Sequence, residues 1–128
     1  MYITNSNFSA EEILLLNFIL SQPFSGRNEV INHINKLKSE EIVRDHSPYF
    51  KIWEFRTKDI LPGYNSGMRV LISVQVQHAN GCAPTVFTLY EKDGLPFEYE
   101  IYNADSSKMD MDRILEGKLI HGKENHPF

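Results

Sequence analysis

Two glutamates, Glu98 and Glu100, have the spacing in this sequence that best suits acid–base chemistry. In a β-strand they would share one face and lie about 7 Å apart, since each residue advances a strand by about 3.4 Å. A carboxylate pair at that separation could supply the acid and the base of a glycosidase. Two glutamates on a solvated strand face are much commoner, so the pair alone does not predict an enzyme.

The other patterns that hold metals are missing from the sequence. No two of the five histidines are spaced four residues apart on a predicted helix, and there is no HExxH motif. Three aspartates, Asp105, Asp110 and Asp112, suggest a calcium loop but lack the spacing and the bidentate glutamate of an EF-hand. We therefore expect no metal and no cofactor.

The single cysteine, Cys82, does not predict a catalytic thiol or a disulfide framework. It follows the turn-forming pair Asn80-Gly81, and His78 is the only basic group near it in the sequence. A reactive thiol needs a lowered pKa and an oriented base. No GxSxG motif is present either, so the sequence predicts a protein that is not an enzyme and fits a reducing cytoplasm.

Charge is unevenly distributed along the chain, which has 13 basic and 17 acidic residues and a net charge of −4. Residues 91–116 hold eight acidic groups against three basic ones, and residues 70–90 hold none of either. Such an acidic segment disfavours nucleic acid, whose phosphates need Lys and Arg. It suits a basic protein partner, although a solvated acidic face that maintains solubility is the simpler alternative.

The hydrophobic pattern predicts two N-terminal helices followed by an antiparallel sheet, which is an α+β fold. Ser9 and Glu12 form a capping box at the start of the first helix, which Pro23 ends near Ser21, and the second spans about 27–37. Alternation then predicts about five strands in hairpin succession, near 41–44, 49–56, 68–77, 85–91 and 97–102. We expect the helices to cover one sheet face.

The alternation also assigns side chains to the two faces of the sheet. Tyr49, Trp53 and Phe55 are predicted on one face of their strand, and Val70 shares a face with Ile72, Val74 and Val76 in the next. In the last strand Glu98, Glu100 and Tyr102 are predicted to lie opposite Phe97, Tyr99 and Ile101.

Length and composition indicate one domain of 128 residues, with a core at about 8–116 and a loosely ordered tail at about 117–128. The longest apolar run is far shorter than the roughly 20 residues of a membrane span. Residues 1–8 carry no Lys or Arg, so no signal peptide is expected. The predicted location is cytoplasmic. The oligomeric state stays open, since an edge strand such as 41–44 could pair between chains.

Taken together, the motifs over about 8–116 resemble a family of small bacterial proteins of about 100 to 130 residues. Proteins of this kind look like the immunity proteins of contact-dependent growth inhibition and other polymorphic toxin systems. The signature runs Phe8-Ser9-x-x-Glu12-x-x-Leu15-Leu16-x-Phe18-Ile19-Leu20, then Phe24-x-Gly26, Asp93-Gly94 and Glu98-x-Glu100-Ile101-Tyr102-x-x-Asp105-Ser106-Ser107. A longer insertion over 45–68 departs from the family pattern.

The resemblance implies a cytoplasmic protein that binds a cognate toxin domain and blocks its activity. Where the toxin is a nuclease, an acidic inhibitor would occupy the place of the nucleic-acid backbone. The acidic segment supplies the candidate binding residues, with Tyr102 as an aromatic anchor: Glu98, Glu100, Tyr102, Asp105, Asp110 and Asp112.

Two other functions stay open on the sequence. A small-molecule or sensor domain would hold its ligand between helices and sheet, in a cavity lined by Trp53, Phe55, Phe87 and Tyr99. A hydrolase or nuclease with a dispersed active site would bring two or more titratable side chains into one cleft.

Overall fold

The computed structural model describes residues 2–57, 67–78, 82–115 and 125–127. Two helices, α1 (Ala10–Leu20) and α2 (Arg27–Asn35), precede the sheet, and a short helix, α3 (Met111–Leu115), follows its fifth strand. The sheet is antiparallel with the order β1-β2-β5-β4-β3-β6. Its strands are β1 (Ile42–His46), β2 (Phe50–Phe55), β3 (Arg69–Val76), β4 (Thr85–Lys92), β5 (Leu95–Asn103) and β6 (Asn125–Pro127). The predicted α+β fold is confirmed.

Local signals in the sequence place both ends of α1. The Ser9 hydroxyl accepts a hydrogen bond from the Glu12 backbone N–H at 3.1 Å, and Glu12 Oε1 accepts one from the Ser9 N–H at 2.8 Å. This is the predicted capping box. The helix ends at Leu20 with Ser21 as its cap, two residues before Pro23.

The predicted hairpin succession is wrong at one point, the connection from β2 to β3. Strands β1 and β2 pair, as do β3 with β4 and β4 with β5, but β2 pairs with β5. The last long strand therefore lies in the middle of the sheet, where it joins the β1–β2 hairpin to the β3–β4 hairpin. Turn residues predict the pairing of strands that follow each other in the sequence. They give no information on the pairing of β2 with β5, which are far apart in the sequence.

The helices cover one face of the sheet, and the described aromatic side chains at this interface are packed. Trp53, Phe55, Phe87 and Tyr99 are all fully buried. The Trp53 and Tyr99 rings stack with centroids 5.2 Å apart, and the Tyr99 hydroxyl donates to the Leu15 carbonyl of α1 at 2.6 Å. The side chains that were expected to line a ligand cavity are instead packed core, which argues against a small-molecule site between helices and sheet.

Two predicted side-chain placements are wrong. The β3–β4 register shifts between Val70 and Ile72, so the extra residue moves Val70 to the opposite face, where it is 58% exposed. Leu71 and Ile72 both pack against the core instead. Tyr49 lies just before β2 and is 54% exposed, so it does not share the buried face of Trp53 and Phe55.

Part of the predicted loose tail forms a strand. The backbone of Asn125–Pro127 (β6) pairs with that of Val74–Val76 in β3 and extends the sheet by one short strand. The rest of that tail and the predicted turn at Asn80-Gly81 lie outside the described residues.

Candidate functional site

The sheet face turned away from α1 and α2, called here the outer face, carries three of the six predicted binding residues. Glu98, Glu100 and Tyr102 alternate with the buried side chains Phe97, Tyr99 and Ile101 along β5, as predicted. Strand pairing sets Glu54 opposite Glu98, Ile52 opposite Glu100 and Phe50 opposite Tyr102. On the other side of β5, the opposing residues are Tyr90, Thr88 and Val86 of β4.

Three glutamates lie at the centre of this face: Glu54 is opposite Glu98 in the strand pairing, and Glu100 is two residues further along β5. Like charges directly across a strand pair destabilise a sheet. Burial, the hydrogen bond to Glu100 and the negative charges of Glu100 and Glu54 together raise the pKa of Glu98 to about 8. Glu98 is therefore protonated at neutral pH and donates that proton to the Glu100 carboxylate.

The groups around this carboxylate cluster (Glu54, Glu98 and Glu100) hold it in place. The Tyr90 hydroxyl donates to Glu100 Oε2 at 3.3 Å. Burial, followed by the charge of Glu100, raises the pKa of Tyr90 to about 12, so this phenol keeps its proton. At the edge of the cluster Arg56 Nε lies 2.9 Å from Glu54 Oε1.

The geometry of the cluster bears on the glycosidase alternative. Because Glu98 and Glu100 share a hydrogen bond, their carboxyl groups are much closer than the roughly 5–9 Å that hydrolysis of a glycosidic bond requires. The alternation along β5 is as predicted, but the side chains converge instead of standing apart. The pair can share a proton or bind a cation.

Two hollows flank Tyr102 on the outer face. The larger has a volume of about 510 Å³, and its lining includes Ser73, Gln75, Val86, Thr88, Tyr90 and Tyr102. Within it the hydroxyls of Ser73 and Thr88 hydrogen-bond each other at 2.9 Å. The smaller has a volume of about 230 Å³ and is lined by Tyr49, Phe50, Ile52, Glu100, Tyr102 and Ser106.

Hydrogen bonds order two chain segments beside the smaller hollow, the turn before β2 and the segment after β5. The Ser47 hydroxyl accepts from the backbone N–H groups of Tyr49 and Phe50 at 3.0 and 3.2 Å. The Met109 N–H donates to the Pro48 carbonyl at 2.8 Å, which ties the segment after β5 to the turn before β2. This hollow is thus built before any ligand arrives.

The remaining predicted residues lie beyond the end of β5. Asp105 is exposed beside Ser106, and hydrogen bonds from the Ser107 side chain and backbone lower its pKa. Asp110 and Asp112 are exposed at the start of α3 and line neither hollow. The structure therefore joins Glu98, Glu100 and Tyr102 in one site, with Asp105 next to its lining, and leaves the last two aspartates apart.

Sequence reasoning missed Glu54, Tyr90 and Tyr49 as members of this site. Glu54 lies between Trp53 and Phe55, which were predicted to share one face of their strand, so its place on the opposite face could have been inferred. Its position against Glu98 could not, since it depends on the β2–β5 pairing.

The histidines and the cysteine form no second site among the described residues. His46 packs against Trp53 with ring centroids 4.7 Å apart, whereas His78 Nε2 bonds the Thr85 hydroxyl at 2.7 Å. Thr85 is fully buried, and Cys82 is exposed. Within the described ranges no three His, Cys, Asp or Glu side chains are placed to hold a metal ion. His121 and His126 are not among the residues whose side chains are described.

Fold and site together define an α+β protein whose outer sheet face combines a carboxylate cluster with two tyrosine-lined hollows. Comparison with known proteins found no matching family model, no matching curated protein and no matching solved structure. None of the described helices is both long enough and apolar enough to cross a membrane.

Proposed function

We propose that this protein is a cytoplasmic immunity protein that binds a cognate bacterial toxin domain through its outer face and neutralises it. The observation that carries the proposal is the carboxylate cluster of Glu54, Glu98 and Glu100. Its central member, Glu98, keeps a proton at neutral pH because burial and then the neighbouring carboxyl groups raise its pKa. A basic side chain of a partner would replace that proton, so the cluster is more stable when a cationic surface covers it.

The aromatic residues around the cluster favour a protein partner. Tyrosine is enriched among the residues that dominate binding energy at protein interfaces. Tyr90 and Tyr102 line the larger hollow, and Tyr102 and the exposed Tyr49 line the smaller one. Inhibition by binding needs neither a catalytic residue nor a cofactor. The family resemblance of the sequence supports the same role.

The growth of a bacterial host tests this proposal directly. The domain encoded immediately upstream of this chain in its native genome is expressed with and without it. We expect arrest by the upstream domain alone and recovery when the two are co-expressed. The double variant Glu98→Lys with Glu100→Lys should abolish recovery, whereas Glu40→Lys, an exposed glutamate before β1, should preserve it. Arrest that the wild-type chain does not relieve would contradict the immunity function.

The larger hollow favours a second candidate, a small-molecule-binding domain. Its volume of about 510 Å³ lies in the range of ligand sites, and Ser73, Gln75 and Thr88 offer neutral hydrogen-bonding groups there. Native mass spectrometry of protein purified from its own host would reveal a retained ligand as added mass. Loss of that mass in Thr88→Val would assign it to this hollow.

A further inference from the structure

We infer that the smaller hollow is a receptor for an arginine side chain presented by the partner protein. This inference rests on the proposed function, and it specifies which chemistry of the toxin surface the site recognises. The hollow has aromatic walls from Tyr49, Phe50 and Tyr102 and one carboxyl group, that of Glu100.

A guanidinium group matches this lining better than other side chains do. It is planar, stacks on aromatic faces and pairs with a carboxylate through two parallel N–H bonds. A volume of about 230 Å³ suits one long side chain and is too small for a helix or a strand. Lysine would satisfy the charge but could neither stack nor bind in a bidentate manner.

The charges facing this hollow are predominantly negative. From β1, Asp45 lies opposite Ile52 in the strand pairing. From β5, Glu100 lines the hollow, whereas Glu98 lies one alternation away and adds no charge at neutral pH because it holds its proton. Asp105 adjoins Ser106 in the next turn.

The cations near the hollow are directed elsewhere or exposed. Lys51 of β2 lies 3.9 Å from Glu11 of α1, on the covered face of the sheet. Lys108, in the segment after β5, is exposed, and its carbonyl accepts from Asn103. Among the residues that the structure describes, a guanidinium would therefore enter a region of net negative charge.

The position of Glu100 is fixed before binding. Tyr90 donates to one of its oxygens, and Glu98 hydrogen-bonds it as well. The Asn103 amide donates to the Ser107 hydroxyl and the Lys108 carbonyl at 3.2 Å each, which orders the chain that supplies Ser106. Little side-chain entropy remains to be lost, and such preorganisation favours affinity.

The test uses two probes with uncharged termini, N-acetyl-arginine amide and its neutral counterpart N-acetyl-citrulline amide. Each is titrated into the isotope-labelled full chain while backbone amide signals are followed by NMR. We expect the arginine probe to shift the signals of the lining residues with about tenfold higher affinity than the citrulline probe. Equal affinities, or shifts confined to other faces, would overturn the inference.

Two variants and one control keep the test independent of folding. Glu100→Gln preserves shape and should weaken the arginine probe about tenfold. Tyr49→Ala removes an exposed ring and should weaken it as well. Glu40→Gln makes the same charge change on the surface before β1 and should leave binding unchanged. Unchanged affinity in both Glu100→Gln and Tyr49→Ala would also refute the site.

The probe titration and the growth assay separate the two proposals. If the chain protects against its upstream toxin but does not distinguish arginine from citrulline, immunity stands and the arginine receptor is wrong. If arginine binds as expected but no protection is found, the receptor stands and the immunity function is wrong.

Discussion

At the scale of single residues, Glu12 connects α1 to the sheet through one buried carboxylate. Arg44 of β1 donates to both of its oxygens, at 2.6 and 2.9 Å, and the indole N–H of Trp53 donates to Oε2. Burial raises the pKa of Glu12, but the hydrogen bonds from Arg44, Ser9 and Trp53 outweigh it and lower the pKa to about 2. The stabilisation is thus fully present above pH 4.5, the ordinary pKa, and is lost as the pH falls towards 2.

Replacing Glu12 by Gln should therefore destabilise the fold strongly at neutral pH. The variant leaves the Arg44 guanidinium without its anion and weakens the bond from Trp53, at a cost of about 2 kcal/mol in the free energy of unfolding. Urea denaturation at pH 7 measures the difference. Glu11→Gln is the matched control, because that exposed carboxylate has only a long contact of 3.9 Å to Lys51. A loss that is equal in both variants would show that the buried network contributes nothing.

Glu98 gives the opposite pH dependence. Its pKa is raised from 4.5 to about 8 in the folded chain, so between these values the folded state holds a proton that the unfolded state has released. Stability should therefore fall as the pH rises through this window, because the folded state must release the proton that relieves like-charge repulsion across the strand pair. Glu98→Gln removes the titrating group and should flatten the profile measured by urea denaturation at several pH values. A slope that persists in the variant would assign it to another group.

At the scale of elements, the β4–β5 hairpin depends on a turn with two left-handed residues. Asp93 has φ 55° and Gly94 has φ 81°, as expected for a tight hairpin of the Asp-Gly type. Gly94→Ala meets no neighbouring atom within 4 Å, so its cost of about 1 kcal/mol arises from backbone conformation alone. Asp93→Asn tolerates the same conformation and should be nearly neutral. Thermal unfolding of both variants checks this, and equal midpoints would disprove the conformational argument.

Elements with local signals could be predicted from the sequence, and those that depend on distant pairing could not. Ser9 and Glu12 mark the start of α1, and Asp93-Gly94 marks a hairpin, because each signal lies within a few residues. The β2–β5 pairing joins segments more than 40 residues apart, and the bulge that turns Val70 outward is defined by the pairing of β3 with β4. Half of the predicted site residues share the outer face. The position of Glu54 opposite Glu98 follows only from the β2–β5 pairing.

At the scale of the whole molecule, the acidic residues of the predicted site divide into two groups with different surroundings. Glu98 and Glu100 lie at the centre of the outer face between tyrosine-lined hollows. Asp110 and Asp112 are exposed near α3. Long-range steering depends on net charge and is screened by salt, whereas direct contacts depend on position. Reversing each pair therefore separates the two contributions to partner binding.

The two double reversals, Glu98→Lys with Glu100→Lys and Asp110→Lys with Asp112→Lys, both make the net charge of the chain more positive. The first does so by one charge unit less, because Glu98 holds a proton at neutral pH. Each should slow association with the toxin domain at low salt, because each weakens the same steering field. Only the first should also speed dissociation, with a loss of affinity of about a hundredfold that persists at high salt, since it removes contacts within the interface. Surface plasmon resonance at low and high ionic strength measures both rates. If the Asp110 and Asp112 reversal accelerates dissociation and the Glu98 and Glu100 reversal does not, the partner binds beside α3, and the outer face is not the interface.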